Sequence, residues 1–410
     1  MKKTLLFFGL GLLAVNSSSA QSWQQQNANS QNDFSTIFAA SDSKVHAFGD
    51  STDIFGGFAL GSHYITGNQG FSWNYSPLNS IVYKSAENFF VSTNIGYLVG
   101  KNQLSGNGFI LKTINGGDTW TEDTPHVERL EGVDFETANL GYAVGRNDYV
   151  TKTTDGGLNW TDVSSNTGDH LAGVDFTTPL NGYVVGRAGV IAYTIDGAAT
   201  WVNQNSNTPE DLEAVSFVND STGWAVGTAG AIVFTNDYGT TWTNQNSGTN
   251  EDLLDVEFVN NTTGWAVGTA GTVLMTTDAG TTWTPENSGT PEDIFSITMR
   301  SDQLGWFCGD NGTIFIYTLS LPNSIKETNN SIDVSVAPNP FNKSTTLKIE
   351  GSDDEIYNVN LVDISGKVIR TYKTTGNSNT TIERNELESG IYLLQISNKE
   401  TVTTQKLVVK

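Results

Sequence analysis

A chain of 410 residues with one cysteine cannot be stapled by an internal disulfide. Its formal charge of −23, from 21 Lys and Arg against 44 Asp and Glu, denies it the basic surface that nucleic-acid recognition needs. Roughly 300 residues of one repeating architecture can bury a large core without covalent help.

The first 20 residues, MKKTLLFFGLGLLAVNSSSA, place Lys2 and Lys3 before an apolar run from Leu5 to Val15, then Ser18-Ser19-Ala20. This layout predicts a secretory signal peptide cleaved after Ala20. The run is too short for a membrane span, and no other apolar run approaches about 20 residues, so no transmembrane segment is expected.

Tryptophan sets the next period. Trp23, Trp73, Trp120, Trp160, Trp201, Trp242 and Trp283 follow one another at 50, 47, 40, 41, 41 and 41 residues, while Trp224, Trp265 and Trp306 recur every 41 residues inside GWxxG. A period of about 40–45 residues with aromatic signatures predicts four-stranded blades stacked in a ring. The best-preserved unit, 241–283, holds β-rich runs at 242–245, 253–258, 264–268 and 272–277, separated by Gly-, Asn-, Asp- and Thr-rich turns. In its inner run, Leu253, Val256 and Phe258 alternate with Asp255 and Glu257, which predicts one buried and one polar face.

The second Gly of GWxxG recurs as Gly49, Gly100, Gly145, Gly186, Gly227, Gly268 and Gly309, giving seven blades. The seventh stops after 314–317, without its own terminal Trp. SWQQQN around Trp23 matches TWTNQN around Trp242, so the N-terminal strand is expected to complete the last blade and remove the open sheet edges.

Before each Trp stands a turn of the form TxDxGxTW: Thr153-Asp155-Gly157-Trp160, Thr194-Asp196-Trp201, Thr235-Asp237-Gly239-Trp242 and Thr276-Asp278-Gly280-Trp283, with Asn115 and Asn68 replacing Asp in weaker copies. These turns resemble the Asp-box, or BNR repeat, of sialidases and related propellers. The side chain accepts from free backbone N–H groups and the Gly takes a positive φ. Because Asn serves twice, hydrogen bonding rather than charge is expected to matter. Cys308, in GWFCG where other copies carry Val, reads as a small buried hydrophobe. His46 stands where Tyr142 and Trp224 stand elsewhere and reads as packing, whereas His63 and His126 show no partner.

The repeats, with 141–160 as the clearest copy, also resemble the photosystem II assembly and stability factor family of seven-bladed propellers. In that family basic residues on the propeller face are implicated in binding a partner protein.

After 319 the period ends. Residues 320–333 read as a polar linker, and 334–410 as six or seven alternating runs of a small immunoglobulin-like β-sandwich. Pro338-Asn339-Pro340-Phe341, then Asp363-Ile364-Ser365-Gly366-Lys367-Val368, Gly390-Ile391-Tyr392 and the end at Lys406–Lys410 resemble the C-terminal sorting domain of the type IX secretion system. The resemblance implies a Bacteroidota-type exporter, passage through the periplasm and outer membrane, and removal of this domain. The mature protein would be secreted or held at the cell surface. The acidic run 352–355 lacks calcium-loop spacing.

The expected fold is therefore all-β: a signal peptide at 1–20, a seven-bladed propeller at 21–319, a linker at 320–333 and a sorting domain at 334–410. No cofactor, metal site or catalytic residue is predicted. Following GWxxG the blades carry Asp50, Lys101, Arg146, Arg187, Thr228, Thr269 and Asp310; before the inner strand stand Asp33, Arg129, His170, Asp211, Asp252 and Asp293. Both sets are expected on the face opposite the Asp-box turns, basic over blades 2–4 and acidic elsewhere. Lys101, Arg129, Arg146 and Arg187 form the candidate site for an anionic protein or glycan partner, since guanidinium forks suit carboxylates. The alternative reading is a sialidase-like glycoside hydrolase, which would need an arginine triad with a nucleophilic Tyr; the propeller has four Arg, with Arg300 expected on the other face. Crowding of Glu210, Asp211, Glu251, Asp252, Glu292 and Asp293 at one repeat position points to turn chemistry.

Overall fold

A computed structural model describes residues 21–50, 61–76, 78, 83–122, 126, 128–319, 333–350, 356–363, 368–385, 387–398 and 402–410. The expected signal peptide, linker residues 320–332, the 364–367 part of the sorting-domain motif and the acidic run 352–355 lie outside them. The chain divides into two compact units, one of them Gln21–Leu319 and the other including Ser320–Lys410.

The first unit is a ring of seven four-stranded antiparallel sheets. Their inner strands are Asp33–Ala39, Tyr83–Phe90, Leu130–Phe135, Leu171–Phe176, Leu212–Asn219, Leu253–Phe258 and Ile294–Ser301. Every inner strand carries a register shift at the same place, such as Leu253/Asp255 in blade 6. There the second Gly of GWxxG meets it. A Cβ on Gly268 would lie 1.9 Å from the Asp252 carbonyl oxygen, and Gly145, Gly186, Gly227 and Gly309 face the same obstruction. Close approach, not an unusual φ, demands glycine here.

The aromatic code follows from stacking between blades. In blades 2 to 5 the aromatic residue of G[WY]xxG lies flat on the inner-strand Phe of the next blade, as Trp224 does on Phe258 at 3.4 Å, Tyr142 on Phe176 at 3.5 Å and Tyr183 on Phe217 at 3.8 Å. The Asp-box Trp of that next blade then meets the Phe edge-on, as Trp283 does Phe258. His46 takes the aromatic place in blade 1, 3.9 Å from Phe90.

Blade 7 is completed by Gln21–Gln25, which pairs antiparallel with Ile314–Leu319 from Gln21↔Leu319 to Gln25↔Phe315. Trp23 is 8% exposed and packs on Phe307 and Tyr317. The repeat explains its polar contacts. In blades 5 and 6 the Asp-box Trp donates its Nε1–H to the preceding blade's Gln204 or Gln245. Trp23 donates likewise to Glu286, which holds the equivalent place, at 3.0 Å, and Gln26 reaches on to the Gln69 carbonyl of blade 1. The N-terminal strand is chemically a blade strand, not a loose strap.

The C-terminal unit is a sandwich. One sheet contains Asp333–Ala337, Ser344–Glu350 and Asn379–Glu383; the other runs in the order Val368–Thr375, Ile356–Val362, Gly390–Ser397, Val402–Val409. Leu347, Ile349, Val359, Leu361, Leu394 and Leu407 are buried between them. The PNPF landmark fastens the terminal strand: Asn339 donates to the Lys406 carbonyl and accepts from Val408 N–H, and Phe341 is buried.

Candidate functional site

The two ends of the blades carry different loops. Asp-box turns bond to the first hairpin turns, Gly156 N–H to the Asn139 carbonyl and Gly197 N–H to the Leu180 carbonyl. On the opposite face the turn after GWxxG meets the crossover into the next blade, through Asp148 N–H to Asp169 and Asn147 N–H to His170 Nδ1. The split of loops between two faces is as the repeat predicts.

The polar face of the inner strands lines a central channel of about 350 Å³. The alternation at 253–258 is present, but its polar face turns into the channel rather than to the outer surface: Glu87, Asp134, Asp175, Asp255 and Glu257 are half-buried there. Each accepts from a backbone N–H of the following blade. Val133 donates to Glu87 at 2.7 Å, Phe176 to Asp134 at 2.7 Å, Phe217 to Asp175 at 2.6 Å, Ile297 to Asp255 at 2.8 Å and Met299 to Glu257 at 2.9 Å. Ser216 serves the blade 5–6 junction, and Ser296 with Thr298 serves blade 7 to blade 1. Between blades 1 and 2, Asn88 donates to Thr36 and Ser35 bonds to Ser85. All seven junctions are clasped.

Burial pushes these carboxyls up: Glu257 to about 8, Asp255 to about 6, and Glu87, Asp134 and Asp175 in the same direction. Among the described residues no Lys, Arg or His lines the channel. Sequence reasoning missed these groups as a set. The available signal was polar residues at two fixed places in an otherwise apolar inner strand.

The channel opens into a funnel of about 460 Å³ whose walls include Arg129, Arg146, Arg187, His170, Glu131, Asp211, Glu213, Leu254 and Phe295. Three of the four residues singled out from the sequence thus meet. Lys101, near the end of the Gly96–Asn102 strand in blade 2, does not line the funnel. The cations are partly matched. Arg146 Nε donates to Glu131 Oε1 at 3.2 Å, and Arg129 Nε lies 2.8 Å from the same oxygen but off the hydrogen-bond axis. Arg187 Nε is 3.9 Å from Asp211. One carboxylate therefore faces two guanidiniums, and the Nη groups of Arg146 and Arg187 make no hydrogen bond among the described residues. Burial also raises Glu213, helped by Asp211 and Glu131.

Acidic residues of blades 5–7 and 1 have a local task. Asp211, Asp252, Asp293 and Asp33 each accept the N–H of the preceding blade's turn, from Ala188, Ala229, Ala270 and Asn311. Arg300 pairs with Asp42 in the first hairpin turn of blade 1, on the Asp-box side. Cys308 is buried and its thiol is pushed up by burial. Two histidines do have partners, contrary to the sequence reading. His63 Nε2 lies 3.0 Å from His46 Nδ1 inside the core, and His126 Nδ1 lies 3.1 Å from the Tyr149 hydroxyl. The first contact joins two consecutive strands of blade 1, and the second joins His126, which bridges Gly108 of blade 2, to the Tyr149–Thr153 strand of blade 3. Among the described residues no group of three or more His, Cys, Asp or Glu is placed to hold a metal ion.

Comparison with known proteins agrees with this architecture. Residues 158–249 and 244–318 match the family described as photosynthesis system II assembly factor YCF48, and residues 335–410 match the secretion system C-terminal sorting domain. No curated protein matches the sequence. Similar solved structures include YCF48 from Cyanidioschyzon merolae (17% identity, 74% of this chain and 100% of that one, TM-score 0.58). A structure of YCF48 bound to D1 peptide gives 17% identity, 73% and 96% coverage and a TM-score of 0.59. Streptogramin B lyase gives 15%, 74%, 99% and 0.60. At such identities the likeness establishes the propeller fold. The sorting domain directs export by the type IX route, so the protein is secreted or attached to the outer-membrane surface.

Proposed function

We propose that the chain is a non-catalytic binding module whose funnel face, through Arg129, Arg146 and Arg187 with Lys101 at its periphery, holds an anionic protein or glycan partner at the cell surface or outside the cell. In this reading residues 1–20 are removed as a signal peptide, 21–319 form the binding body, 320–333 the tether and 334–410 the delivery domain that meets the secretion machinery. The observation that carries it is the gathering of Arg129, Arg146 and Arg187 in one funnel, where Arg129 and Arg146 share the single carboxylate of Glu131 and the Nη groups of Arg146 and Arg187 bond no described residue, leaving them for a ligand. That a YCF48 structure holds a D1 peptide is consistent with a propeller of this shape binding a protein segment.

The glycosidase reading has less support. Three arginines do share the funnel, but no tyrosine lines it among the described residues, and Arg300 is engaged elsewhere. The test is affinity capture from the surface of the source cell with the exported chain and with the Arg146→Glu/Arg187→Glu variant. The reading expects a partner that the variant loses. A partner retained equally by both, or turnover of fluorogenic glycosides, would overturn it.

A further inference from the structure

The funnel is not only charged. Counting from the shared bulge, one position of each inner strand faces its opening: Ser35, Ala86, Glu131, Ala172, Glu213, Leu254 and Phe295 in blades 1 to 7. Five blades place a small or acidic residue there, as a water-filled opening requires. Blades 6 and 7 instead place a Leu and a Phe, both half-buried and both lining the funnel and the channel below it. Their neighbours Leu253 and Ile294 are fully buried in the core, whereas Leu254 and Phe295 join none of the apolar clusters among the described residues. Two large apolar side chains thus stand at the throat of a polar cavity, in the same funnel as the guanidiniums of blades 3 and 4.

We propose that the funnel recognises one short peptide segment in which a carboxylate side chain adjoins a bulky apolar one, the carboxylate on Arg146 and Arg187 and the apolar group on Leu254 and Phe295. The inference rests on the binding-module reading above and narrows its partner. An acidic glycan would satisfy the guanidiniums but leave the apolar wall wet; a peptide covers both. A cavity of about 460 Å³ is the size of a small-ligand pocket and admits a few side chains rather than a folded surface. The carboxylate displaces nothing essential, because Glu131 remains with Arg129.

The probes are fluorescent, end-blocked hexapeptides of Gly and Ser with Glu-Phe at the centre, compared with Gln-Phe and Glu-Ala versions by anisotropy on the full exported chain. Glu-Phe is expected to bind at least about tenfold tighter than either control, since a buried Phe or a paired carboxylate each contributes on the order of 1.4 kcal/mol or more. The repeat itself supplies mild substitutions. Leu254→Ala with Phe295→Ser installs what blades 2, 4 and 1 carry, so folding is retained, and it should erase the Phe preference while keeping the Glu preference. Arg146→Glu with Arg187→Glu should do the reverse. Equal binding of Glu-Phe and Glu-Ala, a Phe preference surviving the blade 6–7 substitutions, or no binding of Glu-Phe at millimolar concentration would each overturn the proposal. Retention of the Glu preference alone overturns this inference and leaves the broader binding reading standing.

Discussion

Aspartate does opposite things at the rim of the wheel and at its hub. In the Asp-box turns, Asp278 accepts from Thr282 N–H at 2.9 Å, only four residues away, and is exposed. Such hydrogen bonds hold Asp155 and Asp196 down at about 2. At the hub, Asp175 accepts from Phe217 of the next blade, is half-buried in the channel, and is pushed up by desolvation there. The acceptor role is common to both. What differs is whether the partner lies in the same turn or in a neighbouring sheet, and whether water reaches the group. A rim carboxylate stabilises one hairpin, while a hub carboxylate joins two blades and carries a desolvation cost.

The comparison breaks most visibly at blade 7, where rim and hub depend on the chain's two ends meeting. Trp23→Ala is expected to cost about 3–5 kcal/mol, the usual range for truncating a buried Trp, measured by denaturant unfolding. A change below about 1 kcal/mol would show that the N-terminal strand does not close the ring.

At the hub, Asp175→Ala leaves the Phe217 N–H buried and unbonded, at a cost of about 1–3 kcal/mol. Asp175→Asn keeps the acceptor and should restore most of that stability. Equal loss in both would mean that charge, not acceptance, holds the junction.

The pH dependence sharpens the contrast. Hub carboxyls titrate near 4 when unfolded but at about 6 for Asp255 and about 8 for Glu257 in the fold. Between those values the native state binds more protons than the unfolded state, so their contribution is present in mild acid and is lost as pH rises toward 8. The buried histidines act in the opposite sense. Burial lowers His63 to about 3 and His46 in the same direction, so stability falls as pH drops below about 6.5. Thermal unfolding followed from pH 4 to 9 should show the alkaline limb flattened by Glu257→Gln with Asp255→Asn, and the acid limb flattened by His46→Tyr with His63→Ser. An unchanged alkaline limb in the hub variant would refute the hub assignment.

The smallest effect belongs to the rim. Asp278→Asn should be nearly neutral, because Asn68 and Asn115 already serve at this position through the same backbone bonds, to Ser72 and Thr119. Asp278→Ala should cost about 1 kcal/mol, the ordinary worth of a side-chain hydrogen bond.

Much of this was legible in order along the chain. The Trp spacing, the GWxxG glycines and the match of SWQQQN to TWTNQN predict seven blades and the strand exchange at Trp23. The reason is that each rule acts within a repeat: a turn closes over four residues and a Gly answers one facing carbonyl. The sorting-domain landmarks were legible for the same reason, being short and in sequence. Three basic residues of the candidate funnel could be placed on one face from loop order alone. Their matching by Glu131 and Asp211 could not.

Everything that depends on which repeat stands next to which in space was decided by the tertiary structure. Glu87 and Val133 are separated by 46 residues, and His46 meets His63 across two strands; no local pattern marks either contact. Closing the ring brings the polar faces of seven inner strands around one axis and excludes most of the water. Residues that alternate as if exposed thereby become half-buried acceptors. Sequence alone determined the repeat and its turns because those interactions are short-range; the wheel alone determined which carboxyls hold protons, because burial is a property of the assembled hub.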